Sequence, residues 1–430
     1  MTEISKKCLR NPGDNLGVYT VVKKIGKGGL STVYRCELGG GGGSGGASGD
    51  SGGSGKNTSG GLDSQGIAVK SYDHDLEKYY RNEVCVLRRI GEGSPHVVAM
   101  ISTFAHVAED TSAIYPCITM ELRGDSVLKL MNYCKEAIGG GLPMSMVLRV
   151  ASDVFRGLAF LHGLGIIHGD IKPENLLLDR VVDEDLTAED IHVKIIDVGS
   201  SSFVDKIFSP NIGTDGYIAP EIIVGAPFGT PADIWSAFTV CFDLIAGASL
   251  FDVFFECDIN YGDIDETTVG MDVSEIYTPC TACVGADPVK YSSCECGHCD
   301  TCSTHEKCLV ESDTDDTSSS GSASSASSSS DDSIEHKYAR NYCYLLLVAK
   351  VIGYPPAEFT DRARSYYNRK GRLINNPDIV PTTISQLLDD NYDMDADLCK
   401  RVEDFLLRGL RYDPDDRITA MDALEHPFML

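Results

Sequence analysis

The sequence predicts an α+β fold that is strand-rich toward its N-terminus. Three observations point there. An apolar run from Tyr19 to Ile25 leads into Gly26, Gly28, Ser31 and Val33 in the pattern GxGxxSxV, which reads as strand, glycine-rich turn and strand. Ala68, Val69 and Lys70 form a further strand, and the segment from Tyr79 to Ile90 repeats Val84, Leu87 and Ile90 at helical spacing, which places Glu83 on a face that can turn inward. The chain has 430 residues of which 42% are hydrophobic, enough for a large core.

The chemistry-bearing residues follow in order. His168, Gly169, Asp170, Ile171, Lys172, Pro173, Glu174 and Asn175 stand in one row, and Asp197, Val198 and Gly199 come about twenty residues later. Phosphoryl transfer needs one carboxylate to orient and deprotonate the attacking hydroxyl, and an amide and a second carboxylate to hold the metal ions that bridge the phosphates of ATP. Asp170 suits the first task, and Asn175 and Asp197 suit the holding of Mg2+. Lys172 is placed to reach the transferred phosphate. Taken with the glycine pattern, these motifs resemble the eukaryotic-type protein kinases, whose fold is bilobal.

That resemblance assigns the remaining positions. Ile25, Gly26, Lys27, Gly28, Gly29, Leu30, Ser31, Thr32 and Val33 would form the loop over the ATP phosphates, with Ala68 beside the base and Lys70 on the α and β phosphates, paired to Glu83. Thr119, Met120, Glu121, Leu122 and Arg123 would be the hinge, with Met120 as gatekeeper and Glu121 and Arg123 lining the nucleotide site. Gly213, Thr214, Tyr217, Ala219, Pro220 and Glu221 would close an activation segment. Asp233 and Trp235 would support the catalytic loop, and Arg417 would pair with Glu221. The implied domain runs over residues 18–430, with an N-lobe at 18–122 and a C-lobe at 123–430.

A narrower resemblance rests on MELRGDSVLKLM, GLPMSMVLRVASDVFRGLAFLH, IIHGDIKPENLLL and TPADIWSAFTVCFDLIAGASLF, and on the tail YYNRKGRL and SQLLDDNYDMDADLCKRVEDFLLRGLRYDPDDR. These are similar to the SR-protein kinases, which phosphorylate serines in Arg-Ser-rich splicing factors. Two departures from common kinase patterns stand out. Gly169 occupies the place where most kinases carry an arginine that reads a phosphorylated activation loop; the SR-protein kinases also lack it, and without a guanidinium no reader is evident. The segment GTDGYIAPE lacks the arginine usual in that family and is closer to generic serine/threonine kinases, so a kinase with generic substrates stays open beside the Arg-Ser reading. A pseudokinase scaffold is disfavoured because every catalytic side chain is present.

Charge narrows the partners. The formal net charge is -27, which argues against nucleic-acid binding by phosphate neutralisation and for basic protein substrates. Residues 252–335 hold 19 Asp and Glu against 2 Lys, and Asp389, Asp390, Asp393, Asp395 and Asp397 add acidity to the tail. No signal-like or membrane-spanning apolar run is seen, so the expectation is a soluble protein of the cytoplasm or nucleus with no membrane partner.

Two inserts interrupt the fold. Residues 39–66 are dominated by Gly and Ser and carry no expected chemistry. Residues 253–335 divide in two. Of sixteen cysteines, seven lie between 280 and 308: Cys280, Cys283, Cys294, Cys296, Cys299, Cys302 and Cys308, with His305 among them. In a reducing compartment the CxxC spacing favours structural Zn2+, for instance Cys280, Cys283, Cys299 and Cys302 in one site and Cys294, Cys296, His305 and Cys308 in another. A thiol-rich disordered loop and disulfides are the alternatives. The insert could also recruit a partner of unknown kind, making the chain an interaction scaffold with a regulatory kinase domain. Residues 311–333 have almost no apolar content and are expected to be disordered.

Overall fold

The computed structural model describes residues 10–39, 66–108, 112–251, 334–360, 363, 365–374, 379–389 and 394–430. The Gly/Ser-rich stretch and the 253–335 insert, with its eight candidate zinc ligands, therefore lie outside the described residues except for the start of the last insert-flanking helix.

The N-terminal part is a six-stranded antiparallel sheet in the order β1-β2-β3-β4-β6-β5. The strands are β1 (Asn15–Leu16), β2 (Tyr19–Lys27), β3 (Ser31–Leu38), β4 (Ile67–Tyr72), β5 (Met100–Val107) and β6 (Ile114–Glu121). In β2 and β3 the register runs from Tyr19 opposite Leu38 to Lys27 opposite Thr32, with two irregularities in β2 that bend the ribbon toward its glycine turn. Cys36 pairs with Ile67 across β3 and β4, so the two ends of the Gly/Ser-rich stretch meet side by side. One sheet face buries Val21, Tyr34, Cys36, Val69 and Cys117. The other meets helix α1 (Glu77–Ile90) through Val84, Val86, Leu87 and Ile90. Glu77 in the first turn and Arg88 and Arg89 in the last complement the dipole of that helix.

The C-terminal part is helical, beginning with α2 (Val127–Ile138) and α3 (Met144–Gly163). Four short strands frame the loops between α3 and the next helices: β7 (Ile166–Ile167) pairs with β10 (Ser202–Phe203), and β8 (Leu176–Leu178) with β9 (Val193–Ile195). Then come α4 (Pro220–Ile223), α5 (Pro231–Ala246), α6 (Ile334–Ile352), α7 (Ala357–Thr360), α8 (Ile384–Asp389), α9 (Ala396–Gly409) and α10 (Ala420–Leu424). Phe155 of α3, Phe238 of α5 and Phe405 of α9 meet with ring centroids 5.1, 4.7 and 6.0 Å apart. Gly409 lets α9 come this close, since a Cβ there would sit 2.0 Å from the Phe238 ring. Gly157 does the same for α3, where a Cβ would meet Ile195 Cδ1 at 2.7 Å. These contacts fix the platform on which the loops after β7 and β9 stand. No helix among the described residues is long and apolar enough to cross a membrane.

Candidate active site

The site forms where the sheet faces those loops. Lys70 lies in β4, where Val33 and Ile118 flank it on the neighbouring strands. Its Nζ donates to both Glu83 oxygens at 2.7 and 3.0 Å and to Asp197 Oδ1 at 2.7 Å. Lys70 is 5% exposed and Glu83 1% exposed. Burial by itself would lower the Lys70 ammonium, but the carboxylates of Asp197 and Glu83 overturn that and hold it well above the ordinary lysine range. Burial drives the Glu83 carboxyl up to about 7 against the opposing pull of Lys70. Asp197 moves the other way, held down to about 2 chiefly by the Lys70 charge.

Asp197 has φ 62 and ψ 70, one of two non-glycine residues with positive φ among the described residues. Such a conformation persists only where the surroundings over-determine it. Here the ion pair with Lys70 does so, together with the Gly199 N–H that Asp197 accepts and Asn82 of α1, which donates to the Gly199 and Ser201 carbonyls at 3.3 and 2.9 Å.

The loop from His168 to Asn175 is held from below. Asp233, in the first turn of α5, accepts the His168 and Gly169 backbone N–H groups at 2.8 Å each and lies 3.0 Å from His162 Nε2. His168 Nε2 sits 2.9 Å from the Ile196 carbonyl, which ties this loop to Asp197. Gly169 has φ +79, and a Cβ there would meet Ile212 Cδ1 at 3.0 Å. A side chain at this position, an arginine included, would therefore be strained on backbone grounds.

Asp170 is the meeting point. Its Oδ1 accepts the Thr214 hydroxyl at 2.7 Å, and its Oδ2 is 2.9 Å from Lys172 Nζ and 3.0 Å from Asn175 Nδ2. Lys172 also donates to Thr214 Oγ1 at 2.7 Å. Asn175 Nδ2 gives a second hydrogen bond to the Asp170 carbonyl at 2.8 Å, which leaves its amide oxygen for another ligand. That oxygen and the Asp197 carboxylate make a hard, oxygen-only donor set, of the kind that suits Mg2+. Around the glycine turn, Gly28 N–H bonds the Ser31 carbonyl at 2.9 Å, and a Cβ at Gly29 would meet nothing within 4 Å, so phosphates have room to approach the backbone.

The hinge residues bridge sheet and helices. Met120 pairs with Ala68 and Met100 across β6. Glu121 accepts from Lys194 at 2.5 Å and from Arg123 at 3.4 Å, while Arg123 also forms an ion pair with Asp179. Gly124 closes this crossing, since a Cβ would collide with Arg180 backbone atoms. Further down, Arg417 meets Glu221 through two bonds of 2.7 and 2.6 Å, both residues buried.

Several contributors were not legible from the motifs: Asn82, the Thr214 hydroxyl bridge, Lys194 and Asp179. Asn82 had a signal, since it directly precedes Glu83 on an inward-facing helix. The others join residues 42 to 73 positions apart only through the fold. In the tail, Asp395 caps α9 and accepts the Asp397 N–H at 3.2 Å, so it has a local structural task, and Asp390 and Asp393 lie outside the described residues. No group of three or more His, Cys, Asp or Glu suited to a metal occurs among the described residues.

Comparison with known proteins agrees with this geometry. Residues 51–283 match the protein kinase domain family. The chain is 24% identical to the serine/threonine-protein kinase SRPK of Physarum polycephalum in an alignment covering 96% of this chain and 85% of that protein. It is 33% identical over 148 residues to the dual specificity protein kinase lkh1 of Schizosaccharomyces pombe, covering 31% of this chain and 21% of that one. It is 31% identical over 210 residues to the human dual specificity tyrosine-phosphorylation-regulated kinase 3, covering 44% and 33%. Against these last two the chain spans a third or less of the relative. The match over more than half of its length, together with the bilobal fold, means that this chain belongs to the protein kinase family and is an ATP-dependent protein serine/threonine kinase.

Proposed function

We propose that this kinase phosphorylates serines in basic, Arg-Ser-rich proteins, with residues 18–122 and 123–430 as its two lobes. The observation that carries the catalytic part is the convergence of Thr214, Lys172 and Asn175 on the Asp170 carboxylate. In this reading Asp170 accepts the proton of the substrate hydroxyl at an Oδ atom, as general base and orienting group. Lys172 and Thr214 hold the carboxylate in one rotamer and keep positive charge beside the acceptor. Asn175 and Asp197 would hold Mg2+, and Lys70, fixed by Glu83, would hold the nucleotide phosphates together with the turn at Gly26–Val33. Bound ATP and its magnesium would supply the transferable phosphoryl group and the charge that neutralises it.

The substrate class is supported by the alignment with the SRPK relative along nearly the whole chain and by the net charge of -27. A basic substrate is attracted by a term that salt screens. Phosphate incorporation into an Arg-Ser repeat peptide should exceed that into an arginine-free serine peptide, and the KM for the first should rise with ionic strength while that for ATP changes less. Equal turnover of the two peptides would leave a kinase of generic substrates, the reading that GTDGYIAPE favours. The cysteine spacing of 280–308 supports a structural zinc module as an accessory, for which zinc content of the purified protein is the measurement.

A further inference from the structure

We infer that Asp215 selects a basic residue directly flanking the phospho-acceptor, and that Arg340 of α6 occupies this carboxylate when no substrate does. The juxtaposition of Asp215 with the catalytic loop on one side and Arg340 on the other carries the inference, which rests on the proposed basic-substrate reading and deepens it.

Asp215 stands at a corner. The Tyr217 N–H bonds the Thr214 carbonyl at 3.0 Å, closing a four-residue turn with Asp215 second and Gly216 third. Gly216 has φ +91, the left-handed value that a type II turn demands of its third residue. Both ends of the turn are tied down. The Thr214 hydroxyl bonds Asp170 Oδ1 at 2.7 Å. At the other end Tyr217 donates its hydroxyl to Asp243 at 2.8 Å and accepts the Ser236 hydroxyl on its carbonyl at 2.7 Å. A carboxylate on such a turn is presented rigidly, one residue from a side chain that touches the catalytic carboxylate. Consecutive Cα atoms are about 3.8 Å apart in either chain. A side chain next to the acceptor serine therefore falls within reach of Asp215.

The carboxylate already attracts a guanidinium. Arg340 Nε lies 3.7 Å from Asp215 Oδ2, with the side chains 25% and 38% exposed. At that distance charge attraction acts but no hydrogen bond is made. An arginine from a substrate can make the short bidentate contact that Arg340 does not, at about 2.7–2.9 Å, and displace it. Arg340 thereby acts as a weak internal competitor, and it keeps the carboxylate from standing unpaired beside Asp170.

The test measures kcat/KM for four serine peptides, with arginine before the serine, after it, on both sides, or on neither, for the wild type, Asp215→Asn, Asp215→Lys and Arg340→Gln. The wild type should prefer arginine at a flanking position. Asp215→Asn should reduce that preference at one position by about two- to fivefold, the range exposed ion pairs reach, and Asp215→Lys should reverse it there, so that the peptide without arginine at that position is preferred. Arg340→Gln should raise it by about twofold, and this arm decides the matter even if the Asp215 variants do not fold. Preferences unchanged in Asp215→Asn and Arg340→Gln overturn the inference while leaving a basic-substrate kinase. A wild type that prefers only distant arginines does the same. A wild type indifferent to arginine everywhere overturns both.

Discussion

Two buried ion pairs span long stretches of this chain, and they are built for opposite purposes. At the cleft, Lys70 shares one ammonium between Glu83 and an Asp197 whose side chain is 47% exposed. Below the activation segment, Arg417 spends its guanidinium fully. Two donors go to Glu221, Nη1 also reaches the Pro231 carbonyl at 2.9 Å, Nε reaches the Arg411 carbonyl at 2.9 Å, and the plane lies 5.3 Å from the Trp235 ring centroid. An ammonium is a point charge with rotatable donors, whereas a guanidinium is a rigid fork. The first pair can exchange a carboxylate for a phosphate without loss of burial. The second is a rivet between α4 and the end of the chain.

Breaking the two should therefore damage different properties. Asp170→Asn should lower kcat by about 10²–10⁴, the range of a lost general base or positioned charge, with the melting temperature close to that of the wild type, whereas Lys70→Met should lower kcat as far but also destabilise, because it leaves Glu83 buried and unpaired. Radiolabelled phosphate incorporation and a thermal melt read the two sides. Activity near the wild-type level in Asp170→Asn removes that residue from its role. Arg417→Met leaves Glu221 buried and unpaired, and should destabilise by about 3–5 kcal/mol, measured by urea unfolding. A loss below about 1 kcal/mol would mean that water or another cation reaches Glu221, and the rivet would be no stronger than a surface pair.

The contrast also marks what a linear sequence conveys. Lys70, Glu83, Asp170, Asn175 and Asp197 stand in motifs whose spacing is dictated by local geometry (a strand, one helix face, one tight loop), whereas the pairing of Glu221 with Arg417, 196 residues apart, is expected from the kinase resemblance alone. The two β strands around the glycine turn and the helix carrying Glu83 are legible for the same reason, since period and turn chemistry are local. The bridges are not. Thr214 reaches back 44 residues to Asp170, and even Asp233, expected from the kinase resemblance to support the catalytic loop, reaches back 65 to the His168 N–H with no local pattern to place it. Only the packing of α5 on α3, enabled by side chains such as Phe155 and Phe238, decides those contacts. The Lys194–Glu121 contact at 2.5 Å has no motif at all.

Titration sharpens the comparison at smaller amplitude. With a folded value near 7 against 4.5, Glu83 binds more protons folded than unfolded between those pH values, so its contribution to stability falls as pH rises through that window. Asp197 has the reverse sign. Its value near 2 adds stability that is present above about 3.8 and is lost as pH falls toward 2. Activity should follow the Glu83 carboxylate, because a protonated Glu83 loosens Lys70: kcat/KM for ATP should climb as pH rises through about 7. Glu83→Gln should abolish that limb, lower activity overall and flatten the stability decline between pH 5 and 7. A limb that persists unchanged in Glu83→Gln assigns it to another group.

The smallest expected effect is no effect, and it concerns whether the activation segment needs a phosphate to hold it. The segment is already fixed near its close by Glu221 and by Thr214 on Asp170 and Lys172, and near its start by Asn82 on the Gly199 and Ser201 carbonyls. The candidate acceptors are poorly placed. Ser201 and Ser202 are 0% and 1% exposed, and the Thr214 hydroxyl is engaged with the Asp170 carboxylate. Gly169, with φ +79 and the Ile212 side chain 3.0 Å from where its Cβ would stand, supplies no guanidinium to read a phosphate at Ser209. Phosphatase-treated enzyme made in bacteria should therefore turn over a peptide at the untreated rate. If treatment silences it, and rephosphorylation at Ser200 or Ser209 restores it, a cation other than one at position 169 must read the phosphate, and the segment is held less firmly than its hydrogen bonds imply.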